Sequence, residues 1–237
     1  MATTVGEMVR QNPKLAELFT RLGIDFCCNG HDLLDEAARK ANIDTEVVKK
    51  QVAELSVAGE EKTVNYEAMS LSQLIDHILS YHHEYIYKSS EYILSVLDKV
   101  YDRHGANHPE LAQIKYLTKS ILGELPIHQH KEEMILFPYI KTLDSGQISN
   151  DSCFGTVANP IATMESDHVA TGKMLFSIRD LSNNFTPPAD ACTSFELLYK
   201  LLKALFENIQ QHIHLENNLL HPKAIAREKS LRGGAKQ

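Results

Sequence analysis

Six side chains in this 237-residue sequence are of the types, and at the spacings, that bind metal: His82, His128, Glu132, His168, His212 and Glu216. His128 and Glu132 are four residues apart, as are His212 and Glu216. On an α-helix each pair stacks on one face and can aim an imidazole and a carboxylate at a common point. Two such pairs and two single histidines supply four nitrogens and two carboxylates, a donor set for two first-row metal ions inside a helical bundle. Structural zinc favours four ligands with thiolates among them, whereas imidazole with bridging carboxylate suits iron or manganese. The His-first spacing also differs from the Glu-x-x-His pattern of carboxylate-rich bundles. Six protein ligands on two ions leave positions for an oxo or hydroxo bridge and for a small molecule such as O2 or NO.

Four long helices have to carry these residues. Apolar periodicity predicts helices over 70–103, 108–143, 159–183 and 190–221, joined as a four-helix bundle. The first has a stripe of Leu71, Leu74, Ile75, Ile78, His82, Tyr85 and Ile86. In the other three, the first ligand lies seven residues from an apolar residue on either side: Ile121 and Ile135, Ile161 and Leu175, Leu205 and Leu219. Seven residues is about two turns, so these polar groups point into the core. A buried carboxylate or imidazole without a partner costs several kcal/mol, and bound metal is the compensation that serves all six together. The prolines after Asn183-Asn184-Phe185 end the third helix, His221-Pro222 ends the fourth, and the tail EKSLRGGAKQ is expected to fray.

Ahead of the bundle the chain reads as a small satellite domain, residues 1–57, with short helices over 5–11, 14–22, 32–42 and 44–55. The polar stretch AGEEKTVNY is a linker, and the bundle occupies residues 66–224. A net charge of −7 with no Lys/Arg-rich face argues against nucleic acid. No apolar run is long enough to span a bilayer, and the opening MATTVGEMVRQNPKL has no apolar signal core. Four cysteines in a chain this long make no disulfide framework. The expectation is a cytoplasmic protein with reduced thiols.

Other residues near these motifs carry two readings each. Glu124 lies one turn before His128, and Glu165 and Asp167 precede His168; each is either a carboxylate that orients an imidazole or relays protons, or a solvated helix charge. Pro126 should kink the helix or force a bulge beside His128. His83, His130 and His214 fall off the ligand stripes. Cys27 and Cys28 sit in the loop GIDFCCNGH. Adjacent side chains point apart in most backbones, which makes joint chelation or a relaxed disulfide awkward. The pair is either a reactive thiol couple or two small apolar fillers. Cys153 and Cys192 carry no pattern.

DFCCNG, HQHKEEMILFP, MESDH, NNFTPPADACTSFE and HIHLENNLLHP occur in order along the chain. Together they resemble the di-iron proteins called repair of iron centres (the ScdA/YtfE-like family), which join a small Cys-Cys domain to a hemerythrin-like bundle. The resemblance covers nearly the whole chain. It implies two non-haem irons per chain, oxo- or hydroxo-bridged, bound by His82, His128, Glu132, His168, His212 and Glu216, with both glutamates bridging. Glu124 falls where the family has an acidic residue near the metals, and Asp167 stands where a glutamate is usual. The implied function is repair of iron–sulfur clusters after oxidative or nitrosative damage, by donating iron or handling NO, with damaged iron–sulfur proteins as transient partners. The alternative is a hemerythrin-type carrier of O2 or NO, or an NO-reducing enzyme. The Cys27-Cys28 domain favours repair, because a gas carrier needs no thiols.

Overall fold

The computed structural model describes residues 3–57, 64–148 and 154–234, and these are helical apart from loops and one isolated bridge between Thr4 and Leu33. Helix α1 (Val5–Gln11) opens on a reciprocal cap: the Thr4 hydroxyl accepts the Glu7 N–H, and the Glu7 carboxylate accepts the Thr4 N–H. α2 (Lys14–Leu22) stops at Gly23, whose φ of 72° is left-handed. α3 (Leu34–Lys40) and α4 (Thr45–Val57) follow. Most of the expected linker, residues 58–63, and Cys153 lie outside the described residues.

The four long helices form as the periodicity predicts, with one departure that recurs. α5 (Leu71–His77) passes through a π turn, Ile78–His83, into α6 (Glu84–His104). α7 (Glu110–Lys131) passes through a second π turn, Glu132–Leu136, into α8 (Phe137–Asp144). α9 (Ala158–Leu181) is uninterrupted and ends before three left-handed residues, Asn183, Asn184 and Phe185. α10 (Thr193–Leu215) passes through a third π turn, Glu216–Leu220, into α11 (His221–Gly234). α7 runs through Pro126 as an α-helix, and its irregular turn starts only at Glu132. Two expectations fail at the C-terminal end. His221-Pro222 does not end the last helix, because Pro222 is the second residue after the π turn, where the hydrogen-bond ladder already changes partner. Nor does the stretch from Glu228 to Gly234 fray, while residues 235–237 of that tail lie outside the described residues. Glu228 is buried and accepts hydrogen bonds from Tyr139 Oη (2.6 Å), Thr156 Oγ1 (2.5 Å), the Val157 N–H (3.2 Å) and Arg232 (3.0 Å).

Packing divides the chain into two compact units. One comprises residues 76–138 and 162–210. There α6, α7, α9 and α10 make a four-helix bundle whose buried stripes include Ile86, Ile93, Leu97, Ile114, Ile121, Leu125, Leu175, Ile178, Leu205 and Ile209. The other comprises residues 1–75, 139–161 and 211–237. Its core joins Val5, Phe19, Ile24 and Phe26 with Leu74, Leu143, Ile213, Leu219 and Ala224. Among the described residues, no helix is long and apolar enough to cross a membrane.

Candidate metal centre

His128 sits near the end of α7 and Glu132 opens the π turn that follows, and the (i, i+4) spacing brings His128 Nε2 to 3.0 Å from Glu132 Oε1. α9 presents His168, whose Nε2 is 3.0 Å from the same His128 nitrogen. His128, Glu132 and His168 are all buried, with ligand atoms within 4.8 Å of one another. Asp167, the neighbour of His168, places Oδ2 3.3 Å from Nδ1 of His128. A carboxylate there accepts a hydrogen bond from Nδ1–H, which keeps the proton on Nδ1 and leaves the Nε2 lone pair facing the cluster. Of the two readings for Asp167, orientation of an imidazole is the one the geometry supports. Lys131 is 3.7 Å from the same oxygen and half-exposed, so it neutralises Asp167 from the solvent side.

The second oxygen of Glu132 faces a histidine that the periodicity assigned elsewhere. His83 Nε2 is 3.4 Å from Glu132 Oε2, and the ring is 1% exposed. His83 Nδ1 pairs with Glu133 Oε1 at 2.7 Å, and its ring stacks on Phe137. The proton is thus held on Nδ1, as in His128. His82 is buried too, but its ring lies edge-on to His77, with centroids 5.7 Å apart, and it is not among the close ligand groups. The structure thus brings His83, which the phase set aside, to Glu132, and does not bring His82 there. The cause is the π turn at Ile78–His83. An extra residue in that turn moves the inward position one place along, so the stripe runs Ile78, His83, Ile86. The same slip at Glu132–Leu136 exposes Ile135 (51%) and buries Leu136 in its stead.

In the other compact unit, His212 Nε2 is 3.1 Å from Glu216 Oε1, and both residues are buried. His130 is exposed, as its phase predicts. His214 is not: it is buried, edge-on to Phe26, with Nδ1 accepting a hydrogen bond from Asn218 at 3.1 Å. Burial lowers its pKa to about 4, so its ring is neutral. Glu124 is exposed on α7.

These side chains fit a metal ion on geometric grounds. With ligand distances of about 2.1 Å, donors at right angles stand about 3.0 Å apart. The His128–His168, His128–Glu132 and His212–Glu216 separations are 3.0, 3.0 and 3.1 Å. Fully buried carboxylates facing imidazole lone pairs need a cation to compensate them.

The Cys27-Cys28 loop folds on Asp25. Its Oδ1 accepts the N–H groups of Cys27 (3.1 Å) and Cys28 (2.9 Å), and Asn29 holds Oδ2 at 2.7 Å. The two sulfurs are 3.8 Å apart, and Cys27 Sγ is 3.2 Å from Asp25 Oδ1. Adjacent thiols do not point apart in this backbone, contrary to the expectation. Cys27 is buried and Cys28 partly exposed. The bond to Cys28, burial and the Asp25 charge push the Cys27 thiol well up from its ordinary value. Asn217 and Asn218 donate to the Cys27 carbonyl, and Asn218 also to that of Phe26.

Comparison with known sequences agrees with both parts of the chain. Residues 1–68 match ScdA_N, described as a domain of unknown function (DUF542). Residues 74–224 match the hemerythrin HHE cation-binding domain. The iron-sulfur cluster repair protein YtfE of Escherichia coli O8 (strain IAI1) is 36% identical over 227 residues, covering 94% of this chain and 97% of that protein. The YtfE proteins of Escherichia coli O6:K15:H31 and Shigella boydii serotype 4 show the same identity and coverage. With a cation-binding bundle matched over most of its length and relatives aligned almost end to end, the chain belongs to the hemerythrin-domain family of iron-sulfur cluster repair proteins.

Proposed function

We propose that this chain repairs iron–sulfur clusters damaged by oxidative or nitrosative stress, acting in the cytoplasm from a di-iron centre held by His83, His128, Glu132, His168, His212 and Glu216. Its partners are damaged iron–sulfur proteins, met transiently, with NO or O2 as the small ligand. The observation that carries the reading is Glu132, whose two oxygens face two different histidines, His128 and His83. That is the disposition of a carboxylate bridging two ions. Glu216, paired with His212 in the same (i, i+4) way, would be the second bridging carboxylate.

When bound, two non-haem irons joined by an oxo or hydroxo group supply exchangeable, redox-active metal with room for a small ligand. The protein's own part is positional. Glu133 and Asp167 keep the protons of His83 and His128 on Nδ1. Burial of both glutamates keeps water from competing for the cations. Glu124 stands exposed one turn ahead of His128, on the solvent side of the centre's own helix. Residues 1–57 bring the Cys27-Cys28 pair, and residues 66–224 bring the metal ligands.

The test is restoration of a dehydratase whose [4Fe–4S] cluster has been damaged by NO or peroxide. Iron-loaded protein should recover activity faster than an equal amount of free ferrous ion, and the His83→Gln protein should not exceed free iron. Rapid NO consumption or reversible O2 binding with no recovery of the dehydratase would instead establish the carrier or NO-reducing reading.

A further inference from the structure

Asp25, Cys27 and Cys28 form a compact donor group remote in sequence from the His/Glu ligands: one oxygen and two sulfurs lie within 4.8 Å of one another. A tetrahedral ion with metal–sulfur bonds of about 2.3 Å needs sulfurs about 3.8 Å apart. Cys27 Sγ and Cys28 Sγ are 3.8 Å apart, far beyond the S–S bond of about 2.05 Å in a disulfide. Hydrogen bonds from the protein itself hold the loop in this shape. Asp25 Oδ1 fixes both cysteine N–H groups, Asn29 fixes Oδ2, and Asn217 and Asn218 hold the Cys27 carbonyl from below. Gly30 makes room for that clamp: a Cβ there would stand 2.8 Å from the Phe26 carbonyl oxygen and 2.9 Å from Asn218 Cγ. Pre-formed donors spare a metal the cost of ordering them.

We infer that Asp25, Cys27 and Cys28 constitute a second metal site, for a thiophilic divalent transition-metal ion, separate from the His/Glu centre. Three protein donors leave a tetrahedral ion one exchangeable position. Cys28 and Asp25 are partly exposed while Cys27 is buried, so the ion enters from the solvent side and leaves the same way. Such a site holds metal loosely enough to pass it on. The assignment is independent of the repair reading, since it rests only on the loop.

The experiment is a cobalt(II) titration of the full, reduced chain under anaerobic conditions. Imidazole and carboxylate ligands give cobalt only weak visible bands, so an intense near-ultraviolet thiolate-to-cobalt band reports this site alone. The band should appear in the parent protein and in Cys192→Ser, and disappear in Cys28→Ser, which replaces a partly exposed thiol by its closest isostere. In Asp25→Asn, whose side-chain oxygen still accepts the two loop N–H groups, cobalt affinity at the band should fall about tenfold or more. Absence of the band in the parent, its survival in a Cys27→Ser/Cys28→Ser protein, or unchanged affinity in Asp25→Asn would each overturn the assignment.

Discussion

Glu132 Oε2 lies 3.4 Å from His83 Nε2 while its other oxygen lies 3.0 Å from His128 Nε2. One carboxylate therefore spans two histidines from different helices. In the di-iron reading it is shared by both ions, and its loss cannot be confined to one. Glu132→Gln should lower iron from about two per chain to less than one. Elemental analysis after anaerobic loading measures this, and retention of one tightly bound iron would show that Glu132 does not bridge.

The neighbouring histidines give a sharper contrast. His83→Gln should lose at least one iron, whereas His82→Gln should keep both, because the π turn aims His83 and not His82 at Glu132. Iron content and the visible spectrum of the two variants decide it. The melting temperature of each serves as a control for folding, since both rings are buried.

Asp167 acts on His128 from behind, at 3.3 Å from Nδ1. Asp167→Asn can no longer hold that proton as strongly, and iron affinity should drop roughly 10- to 100-fold. Competition with a chelator measures the change. Unaltered affinity would make Asp167 a surface charge paired with Lys131.

Glu228 predicts a pH dependence of stability. Buried yet hydrogen-bonded by Thr156, Tyr139, Arg232 and the Val157 N–H, its carboxyl is held below the usual 4.5, the bonds outweighing the burial that opposes them. The unfolded chain thus binds this proton at a higher pH than the native one. The stabilisation is complete above about pH 5 and is lost as pH falls through the lowered native value. Glu228→Gln should cost roughly 2–3 kcal/mol near neutrality, with a smaller deficit in acid. Urea denaturation at several pH values checks this, and a deficit that does not shrink in acid would count against it.

Close packing around the thiol loop yields one more outcome. Gly30→Ala places a Cβ against Asn218 and the Phe26 carbonyl, so the loop must shift. Cys27 should then react with a thiol reagent several-fold faster than in the parent. Mass spectrometry of the labelled sites distinguishes it from Cys28, and an unchanged rate would mean that the loop absorbs the methyl group in place.

Where periodicity is regular, the sequence is legible. His128, Glu132, His168, His212 and Glu216 are buried, as phase counting on straight helices predicts. His83 was hidden because counting assumes a constant 100° step, and a π turn breaks it. A signal does exist: Glu132 and Pro138, and again Glu216 and Pro222, are six residues apart, each proline standing at the second residue after a π turn. No comparable proline follows Ile78–His83, so the turn that mattered most left no mark. The sulfur geometry was equally invisible, because it depends on how Asp25 folds the loop and on Asn217 and Asn218, which lie about two hundred residues away in the sequence.

Asn217 and Asn218 come directly after Glu216 in the same π turn, and they grip the carbonyl of Cys27. The buried carboxylate that pairs with His212 and the tether of the thiol loop are thus successive rungs of one irregular coil. A π turn can relax towards α geometry by changing hydrogen-bond partner, and such a change rotates every residue it carries. A change of partner at Glu216 would therefore move the two amides that hold the Cys27 carbonyl, so the thiol loop and Glu216 share one point of deformation.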